Sequence, residues 1–386
     1  MVEEDRSIIL TFTNEDMRTP ADEIVLAIKS VIADGSRELQ RPIVTVKDIY
    51  CPYDPLGCWA IEKFEAKLCA IANVEHAIAV SSGTAALHVA LMAVGVKPGD
   101  EVIIPALTFA ATANAVCHCG ATPHFVDVRA SNLGINAFKL RQYLAAMTAS
   151  ARRRIKAIVP VHLLGLPCDI EGVMEVATDH GIAVIEDAAE ALGTGLLGTN
   201  TQVGHSGRGG IFSFNINKIV TTGGGGAVIT DDGVIAGRVR HLSTTSKMAH
   251  PFLWVHDAIG WNYRMPNLCA AFGASQLERL VETIYAKRRL ASRYAAAFAE
   301  SEVAHLIVDY RSNFWLNAII ISPRYPGIRD EVIRGLLADG YEARAIFTPL
   351  HLLPHFSHCP RQQNLMVAED LFNRVVCLPS SIGSER

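Results

Sequence analysis

The sequence has no apolar run that reaches the roughly 18 residues needed for a bilayer-spanning helix. Charged residues make up only 19% and aromatic residues 7% of its 386 residues, while half are hydrophobic. This composition excludes a charge-rich disordered chain and is typical of a globular protein. The net charge is −4, with Lys and Arg scattered along the chain. We therefore expect neither a membrane nor a nucleic acid as a partner.

Three common cofactor and metal motifs are also missing. No GxGxxG follows the first predicted strand, and neither GxxxxGK[ST] nor HExxH occurs. The nicotinamide, nucleotide-hydrolase and zinc-protease classes are therefore poorly supported. The nine cysteines are an odd number, and the acidic start of the chain does not resemble a signal peptide. We predict reduced thiols, a cytoplasmic location and no metal site, with Cys117–Cys119 packed in a helix.

Strand-like and helix-like segments alternate from about residue 76 to residue 239. The predicted strands are His76–Ser82, Glu101–Pro105, Thr122–Val128, Ile155–Leu163, Ile182–Glu186, Gly210–Asn215 and Gly226–Thr230. Helices are predicted at Thr84–Val94, from Phe109 and at Ile170–His180. This alternation predicts an α/β domain with a mostly parallel sheet flanked by helices. Ligands of such sheets bind beyond the carboxyl ends of the strands.

The last third of the chain has a different pattern. One long helix is predicted at Gln276–Phe298, a strand at Asn317–Ser322 and a helix at Asp330–Asp339. We predict a large domain over residues 15–245 and a smaller α+β domain over residues 246–386, which the N-terminal segment is expected to join.

Polar or aromatic residues follow three of the predicted strands. Gly83 and Thr84 open a helix whose N–H groups suit a phosphate, although a simple helix cap is the alternative. Phe109 could stack on a planar ring or belong to the core. Asp187 could hold a pyridinium nitrogen in its protonated state, or cap the next turn.

Lys218 ends the run SFNINK and precedes four glycines, Gly223–Gly226. A partly desolvated lysine amine condenses with aldehydes, and glycines allow a flat ligand to approach the backbone. An exposed lysine before a hairpin is the alternative. Taken together, the phosphate cradle, ring stacker, pyridinium partner and Schiff-base lysine are the parts of a pyridoxal phosphate site.

Several segments resemble the DegT/StrS sugar-nucleotide aminotransferases, which are fold-type-I pyridoxal phosphate enzymes. The segments are Ser82–Leu87, Pro105–Asn114, Glu186–Gly193, Ser213–Lys218 and Gly260–Met265. Three further segments resemble the branch that serves legionaminic acid, bacillosamine and perosamine synthesis, namely Asn217–Gly226, Trp315–Ala318 and Thr348–His351. Members of that branch aminate C4 of a nucleotide-linked 4-keto-6-deoxy sugar and use L-glutamate as the amino donor.

The resemblance implies a role for each matching residue. It implies that Lys218 binds the cofactor and moves the proton, that Asp187 partners the pyridinium nitrogen, and that Phe109 stacks on the ring. The residues implied to hold the cofactor phosphate are Gly83, Thr84 and Ser213, with Asn262 reaching the phosphate in the neighbouring subunit. A homodimer with shared active sites is therefore implied.

Two positions depart from the common family pattern. Glu190 replaces the more frequent Gln near the cofactor's phenolic oxygen, where a carboxylate needs a donor, and Ile216 replaces a glycine. Related dehydratases have His in place of the lysine, so the retained Lys218 favours transamination.

Candidate substrate contacts are Arg264, Arg344 and His351, although structural salt bridges explain the arginines equally well. The alternatives are another reaction of the same cofactor, such as sugar dehydration or amination of an eight-carbon ulosonic acid, and a non-catalytic regulatory or scaffold protein.

Overall fold

The computed structural model describes residues 20–33, 59–195 and 202–382. Its main feature is a seven-stranded sheet with the order β1–β7–β6–β5–β4–β2–β3. The strands are β1 His76–Val80, β2 Glu101–Pro105, β3 Thr122–Val126, β4 Ile155–Ile158, β5 Ala183–Asp187, β6 Gly209–Ser213 and β7 Gly226–Thr230. Strands β2 to β6 pair in parallel, whereas β7 runs antiparallel to β1 and β6. The predicted, mostly parallel sheet is confirmed.

Helices cover both faces of this sheet. They are α2 Trp59–Ala72, α3 Gly83–Ala93, α4 Ala110–His118, α5 Ala137–Ala146, α6 Ala149–Arg152, α7 Ile170–His180, α8 Gly233–Ser243 and α9 Asn267–Glu278. Side chains alternate between the faces because successive residues of a strand point in opposite directions. In β1, Ile78 and Val80 pack on the side of α3, α4 and α8, while Ala77 and Ala79 pack on the side of α2 and α9.

A second, antiparallel sheet has the order β10–β11–β13–β12. Its strands are β10 Ala304–Leu306, β11 Ala318–Ile321, β12 Arg344–Ala345 and β13 Val375–Cys377. The accompanying helices are α1 Pro20–Ala33, α10 Leu280–Ala297, α11 Arg329–Ala338 and α12 Met366–Arg374. Helix α1 buries Ile24 and Ile28 against Tyr294 of α10 and Leu336 of α11. The N-terminal helix therefore packs with this smaller sheet.

The predicted helix Gln276–Phe298 is wrong in one respect, because it consists of two helices. The chain breaks at Arg279, where φ is −102° and ψ is 5°. Helix α9 buries Leu277 in the core of the large sheet, and α10 continues towards the small sheet. The large core thus extends past residue 245, the predicted domain boundary. The apolar pattern could not reveal the break because both helices present apolar residues at helical spacing.

Three smaller observations complete the fold. Within the described ranges, no helix is long and apolar enough to cross a membrane. The expected packing of Cys117–Cys119 is wrong in part: Cys119 is buried, but Cys117 and His118 are exposed at the end of α4. A two-stranded ribbon, β8 Lys247–Met248 and β9 Val255–His256, projects between α8 and α9.

The start of β7 lies too close to the first turn of α3 for a side chain. Gly226 pairs with both Val80 and Ser213, and a Cβ at residue 226 would overlap the carbonyl of Ser82. Gly226→Ala should therefore cost about 1–3 kcal/mol of unfolding free energy, as overpacking does. Denaturant unfolding measures this cost. Gly224→Ala is the matched control, because a Cβ there meets nothing within 4 Å. Equal stability of the two variants would contradict the close approach.

Candidate active site

The carboxyl end of the sheet places the first turn of α3 beside the end of β6. Ser82 caps this helix, since its hydroxyl accepts the N–H of Ala85 at 3.0 Å. A Cβ at Gly83 would lie 2.8 Å from the Ser213 Cβ, so only glycine allows this approach. The first-turn N–H groups at Gly83 and Thr84 and the Ser213 hydroxyl therefore lie side by side. This donor set suits a phosphate.

Asp187 ends β5 and is only 5% exposed. Its Oδ2 accepts a hydrogen bond from the Thr112 hydroxyl at 2.8 Å, and its Oδ1 accepts the Ala189 N–H at 3.1 Å. The Thr108 and Thr112 hydroxyl oxygens are 3.1 Å apart and extend this chain of hydrogen bonds. Burial raises the pKa of Asp187, and the Thr112 hydroxyl opposes that rise, followed by the Ala189 N–H and Lys218. These donors favour the carboxylate that a pyridinium nitrogen requires.

Glu190 lies one turn further along and is also buried. Its Oε2 accepts the N–H of Leu164 at 2.8 Å, and its Oε1 is 3.5 Å from Lys218 Nζ. Burial raises the pKa of Glu190, whereas the nearby Lys218 ammonium lowers it. The donor that the sequence analysis required for this carboxylate is thus present in the main chain of Leu164 and in Lys218.

Lys218 lies with its side chain only 13% exposed. Its Nζ is 3.8 Å from the centroid of the Trp315 indole, which forms a cation–π contact. The indole N–H donates to the carbonyl of Asn217 at 2.7 Å. The amine therefore contacts one carboxylate and one aromatic face, and Asp187 contributes to the same electrostatic environment.

The remaining predicted cofactor residues are Phe109 and Asn262, and Arg264 is the first of the candidate substrate residues. Phe109 precedes α4, is 55% exposed, and has its ring 5.4 Å from that of Phe347. Asn262 and Arg264 are exposed, and the backbone of Arg264 bridges to Val80 at the end of β1. Arg264 thus lies beside the end of β1, and the roles of all three residues in binding remain predictions.

The other two candidate substrate residues have different environments. His351 is buried, and its Nε2 lies 2.9 Å from Glu369 Oε1. The neighbouring Leu350 N–H donates to the carbonyl of Ala106, three residues before the predicted ring stacker. Arg344 has a side chain that is 80% exposed and lies 3.8 Å from Glu342. The contacts of the two residues thus favour His351 over Arg344 as a residue near the site, and substrate binding by either residue stays a prediction.

Sequence reasoning missed three contributors to the site. These are the Thr112 hydroxyl, the Leu164 main chain and the Trp315 indole. The spacing of Thr108 and Thr112, four residues apart at the start of a helix, was an available signal for the first. The positions of Leu164 and Trp315 depend on tertiary folding alone.

Comparison with known proteins agrees with this geometry. Residues 59–385 match the model of the DegT/DnrJ/EryC1/StrS aminotransferase family. The chain belongs to this family. It is 40% identical over 327 residues to GDP-perosamine synthase of Caulobacter vibrioides, covering 84% of this chain and 85% of that protein. Over 333 residues it is 35% identical to the putative pyridoxal phosphate-dependent aminotransferase EpsN of Bacillus subtilis, with 84% of each chain covered.

Two further matches show the range of the family. A UDP-N-acetyl-3-dehydro-α-D-glucosamine 3-aminotransferase of Acidithiobacillus ferrooxidans is 36% identical over 325 residues, covering 82% of each chain. The crystal structure of a family aminotransferase from Brucella abortus superimposes with a TM-score of 0.76 at 31% identity, over 93% of this chain and 90% of that one. These findings confirm the predicted fold-type-I architecture, the aminotransferase class and pyridoxal 5′-phosphate as cofactor.

The Thr112 hydroxyl provides a test of whether it stabilises the carboxylate form of Asp187. Thr112→Val removes a hydrogen bond to a buried carboxylate, so we expect a loss of about 1.5–3 kcal/mol in unfolding free energy of the cofactor-free protein at neutral pH. The hydroxyl lowers the Asp187 pKa, so its removal raises that pKa further. The deficit should therefore grow as pH rises through the folded-state pKa of Asp187, and shrink in acid.

Denaturant unfolding at acid and neutral pH measures this effect. Thr178→Val on α7 is the matched control, because the Thr178 hydroxyl is exposed and donates only to the Met174 carbonyl of its own helix. A deficit in Thr112→Val that does not change with pH would show that the hydroxyl does not stabilise a carboxylate at residue 187.

Proposed function

We propose that this protein transfers the amino group of L-glutamate to C4 of a nucleotide-linked 4-keto-6-deoxy sugar and releases 2-oxoglutarate. The observation that carries the proposal is the buried centre in which Lys218 Nζ contacts Glu190 and Trp315 beside Asp187. The similarity to a GDP-perosamine synthase supports the position of amination, because perosamine is a 4-amino-4,6-dideoxy sugar.

The residues present fit pyridoxal phosphate. The N–H groups at Gly83 and Thr84 and the Ser213 hydroxyl would hold its phosphate, and Phe109 would stack on its ring. Asp187, whose Oδ2 accepts a hydrogen bond from the Thr112 hydroxyl, would hold the pyridinium nitrogen. When bound, the cofactor supplies an electron sink that makes the Cα proton of the amino donor acidic.

Lys218 is the group of this chain that moves the proton. With the cofactor bound, the free Lys218 amine would take the proton from the donor's Cα and deliver it to C4′ of the cofactor rather than back to Cα. Glu190 stabilises the ammonium form that exists between these two transfers, and the Trp315 face does the same. The low exposure of the amine limits exchange of that proton with water.

The acceptor sugar has to reach this centre from the exposed side. Phe109 and Arg264 are both exposed, and Arg264 lies beside Val80 at the end of β1. A guanidinium suits the diphosphate of a nucleotide sugar and also the second carboxylate of glutamate. Arg264 could thus bind glutamate in the first half-reaction and the nucleotide sugar in the second, since both take place at the same centre.

A second position of amination has a specific observation in its favour. The relative from Acidithiobacillus ferrooxidans is named for amination at C3 of a UDP-linked sugar and is 36% identical. C3 amination is therefore the alternative activity. A GDP-linked acceptor is the first choice for C4 amination because the 40% identical relative is named for a GDP sugar. UDP-4-keto-6-deoxy-GlcNAc and an eight-carbon ulosonic acid are further acceptors to compare.

The test is a panel of keto-sugars incubated with L-glutamate and the cofactor-loaded protein. We expect a C4-aminated nucleotide sugar by mass spectrometry and NMR, with one equivalent of 2-oxoglutarate. Lys218→Ala should remain folded and lose turnover by orders of magnitude, because the proton carrier is missing. Amination at C3 would replace the C4 assignment. Loss of water from the sugar without amination would indicate a dehydratase, and release of no 2-oxoglutarate with any acceptor would contradict the proposal.

We also propose that the protein is a homodimer in which Asn262 binds the cofactor phosphate of the partner subunit. Asn262 is exposed in a segment that borders the cradle, next to Trp261 and Tyr263, whose rings pack on His88 of α3. A twofold dimer brings the same surface of two copies together, so each copy would supply its Asn262 to the other.

Mixed dimers of Lys218→Ala and Asn262→Asp chains test this sharing. Each variant alone should be inactive. Lys218→Ala lacks the proton carrier, and the added carboxylate of Asn262→Asp repels the phosphate. In a shared arrangement one site of the mixed dimer carries both native residues, so activity should return after subunit exchange. Native mass spectrometry verifies the exchange. Confirmed mixed dimers without activity would place Asn262 and Lys218 of the same chain in one site, and a fully active monomer would exclude the dimer.

A further inference from the structure

A second buried lysine, Lys287 on α10, has no part in the chemistry described above. The residue is 8% exposed, and its Nζ donates to the carbonyl of Trp315 at 3.1 Å and to the carbonyl of Ser380. Burial lowers the pKa of Lys287 to about 8. A buried amine is costly unless its N–H groups are bonded, so these two carbonyls stabilise it. Conversely, Lys287 fixes the main chain at both of them.

The main chain of Trp315 is held at both of its polar groups. Its N–H donates to Asn313 Oδ1 at 2.8 Å, and its carbonyl accepts from Lys287. The preceding Phe314 has a φ of 51°, a left-handed value that bulky residues rarely adopt. Such a conformation persists only where the surroundings determine it. The Asn313 amide also donates to the carbonyl of Glu190 at 2.9 Å, which ties this turn to the active centre.

The side chain of Trp315 connects this turn to the reactive amine. Its N–H donates to the Asn217 carbonyl at 2.7 Å, and its ring lies 3.8 Å from Lys218 Nζ. Both contacts require the indole to keep one position. The segment between β10 and β11 therefore extends from the small sheet to Lys218, which follows strand β6 of the large sheet.

We propose that Lys287 is a positioning residue for the reaction: by holding the Trp315 carbonyl, it keeps the indole against the Lys218 amine. The inference rests on the proposed role of Lys218 as the lysine that binds the cofactor. Lys287 does not touch the reacting atoms and acts through Trp315.

The direction in which a Lys287 variant changes the protonation of Lys218 distinguishes positioning through Trp315 from a direct effect of the Lys287 charge. The groups close to the Lys218 amine are the carboxylates of Asp187 and Glu190 and the indole of Trp315. Loss of the aromatic face removes a favourable contact of the ammonium form and therefore favours the free amine. Loss of the Lys287 charge alone would have the opposite effect and favour the ammonium form, because a like charge is removed.

The experiment measures capture of the cofactor by Lys218 rather than turnover. Cofactor-free protein is mixed with pyridoxal phosphate over a range of pH, reduced with borohydride, and the label on the Lys218 peptide is quantified by mass spectrometry. Only the free amine reacts, so the pH midpoint of the capture rate reports the balance between the free amine and the ammonium form. Trp315→Leu should lower this midpoint by about half a unit to one unit, a three- to tenfold change in the protonation equilibrium.

Lys287→Met should also lower the midpoint. The double variant Lys287→Met/Trp315→Leu should have the same midpoint as Trp315→Leu alone. Tyr294→Phe is the matched control on the same helix: it removes a hydrogen bond from α10 to the carbonyl of Pro379, next to Ser380, without touching Trp315. Its midpoint should equal that of the wild type. If Lys287→Met does not fold, Lys287→Gln serves, with a smaller shift of the same sign because its amide can still donate.

Three results would overturn the inference. An unchanged or raised midpoint in the folded Lys287 variant would show that the residue does not act through the indole. Additive shifts in the double variant would show two independent effects. An equal shift in Tyr294→Phe would show a general loosening of α10. Failure of wild-type Lys218 to capture the cofactor would instead contradict the proposed function, and this inference with it. Normal capture without amination of any sugar would contradict only the proposed function.

Discussion

The burial of two carboxylates beside one ammonium is the constraint on which the rest of the site depends. Asp187 and Glu190 are both almost inaccessible to solvent, and Lys218 is the cation next to them. Buried charges are tolerated only when they are paired and hydrogen-bonded. Apart from the Ala189 N–H, the donors to these carboxylates come from distant parts of the chain, namely Thr112, Leu164 and Lys218, so the tertiary fold is needed to satisfy the charges.

The large sheet and the small sheet contribute different things to this centre. The large sheet supplies the carboxylates, the helix N-terminus and the lysine, all at the carboxyl ends of its strands, where parallel sheets bind ligands. The small sheet supplies Trp315 through a turn that is hydrogen-bonded on both sides. A close packing of the two sheets is therefore needed to complete the surroundings of Lys218.

Much of the fold was predictable from local sequence. The strands Glu101–Pro105 and Gly226–Thr230 and the helix Ile170–His180 have the predicted bounds. Their ends coincide with sharp changes of apolar pattern, which is why periodicity located them. The break at Arg279 was missed because the pattern continues across it while the helix axis changes, and only the packing of α9 on the large core reveals it.

The sequence by itself determined the family, the order of the motifs and which residues carry reactive groups, because these follow from residue type and spacing along the chain. Tertiary structure decided which donors bond the carboxyl groups of Asp187 and Glu190 and what lies against Lys218. Thr112, Leu164 and Trp315 are 75, 26 and 97 residues from the groups they contact. Contacts over such separations depend on how strands and helices pack, and no local pattern encodes them.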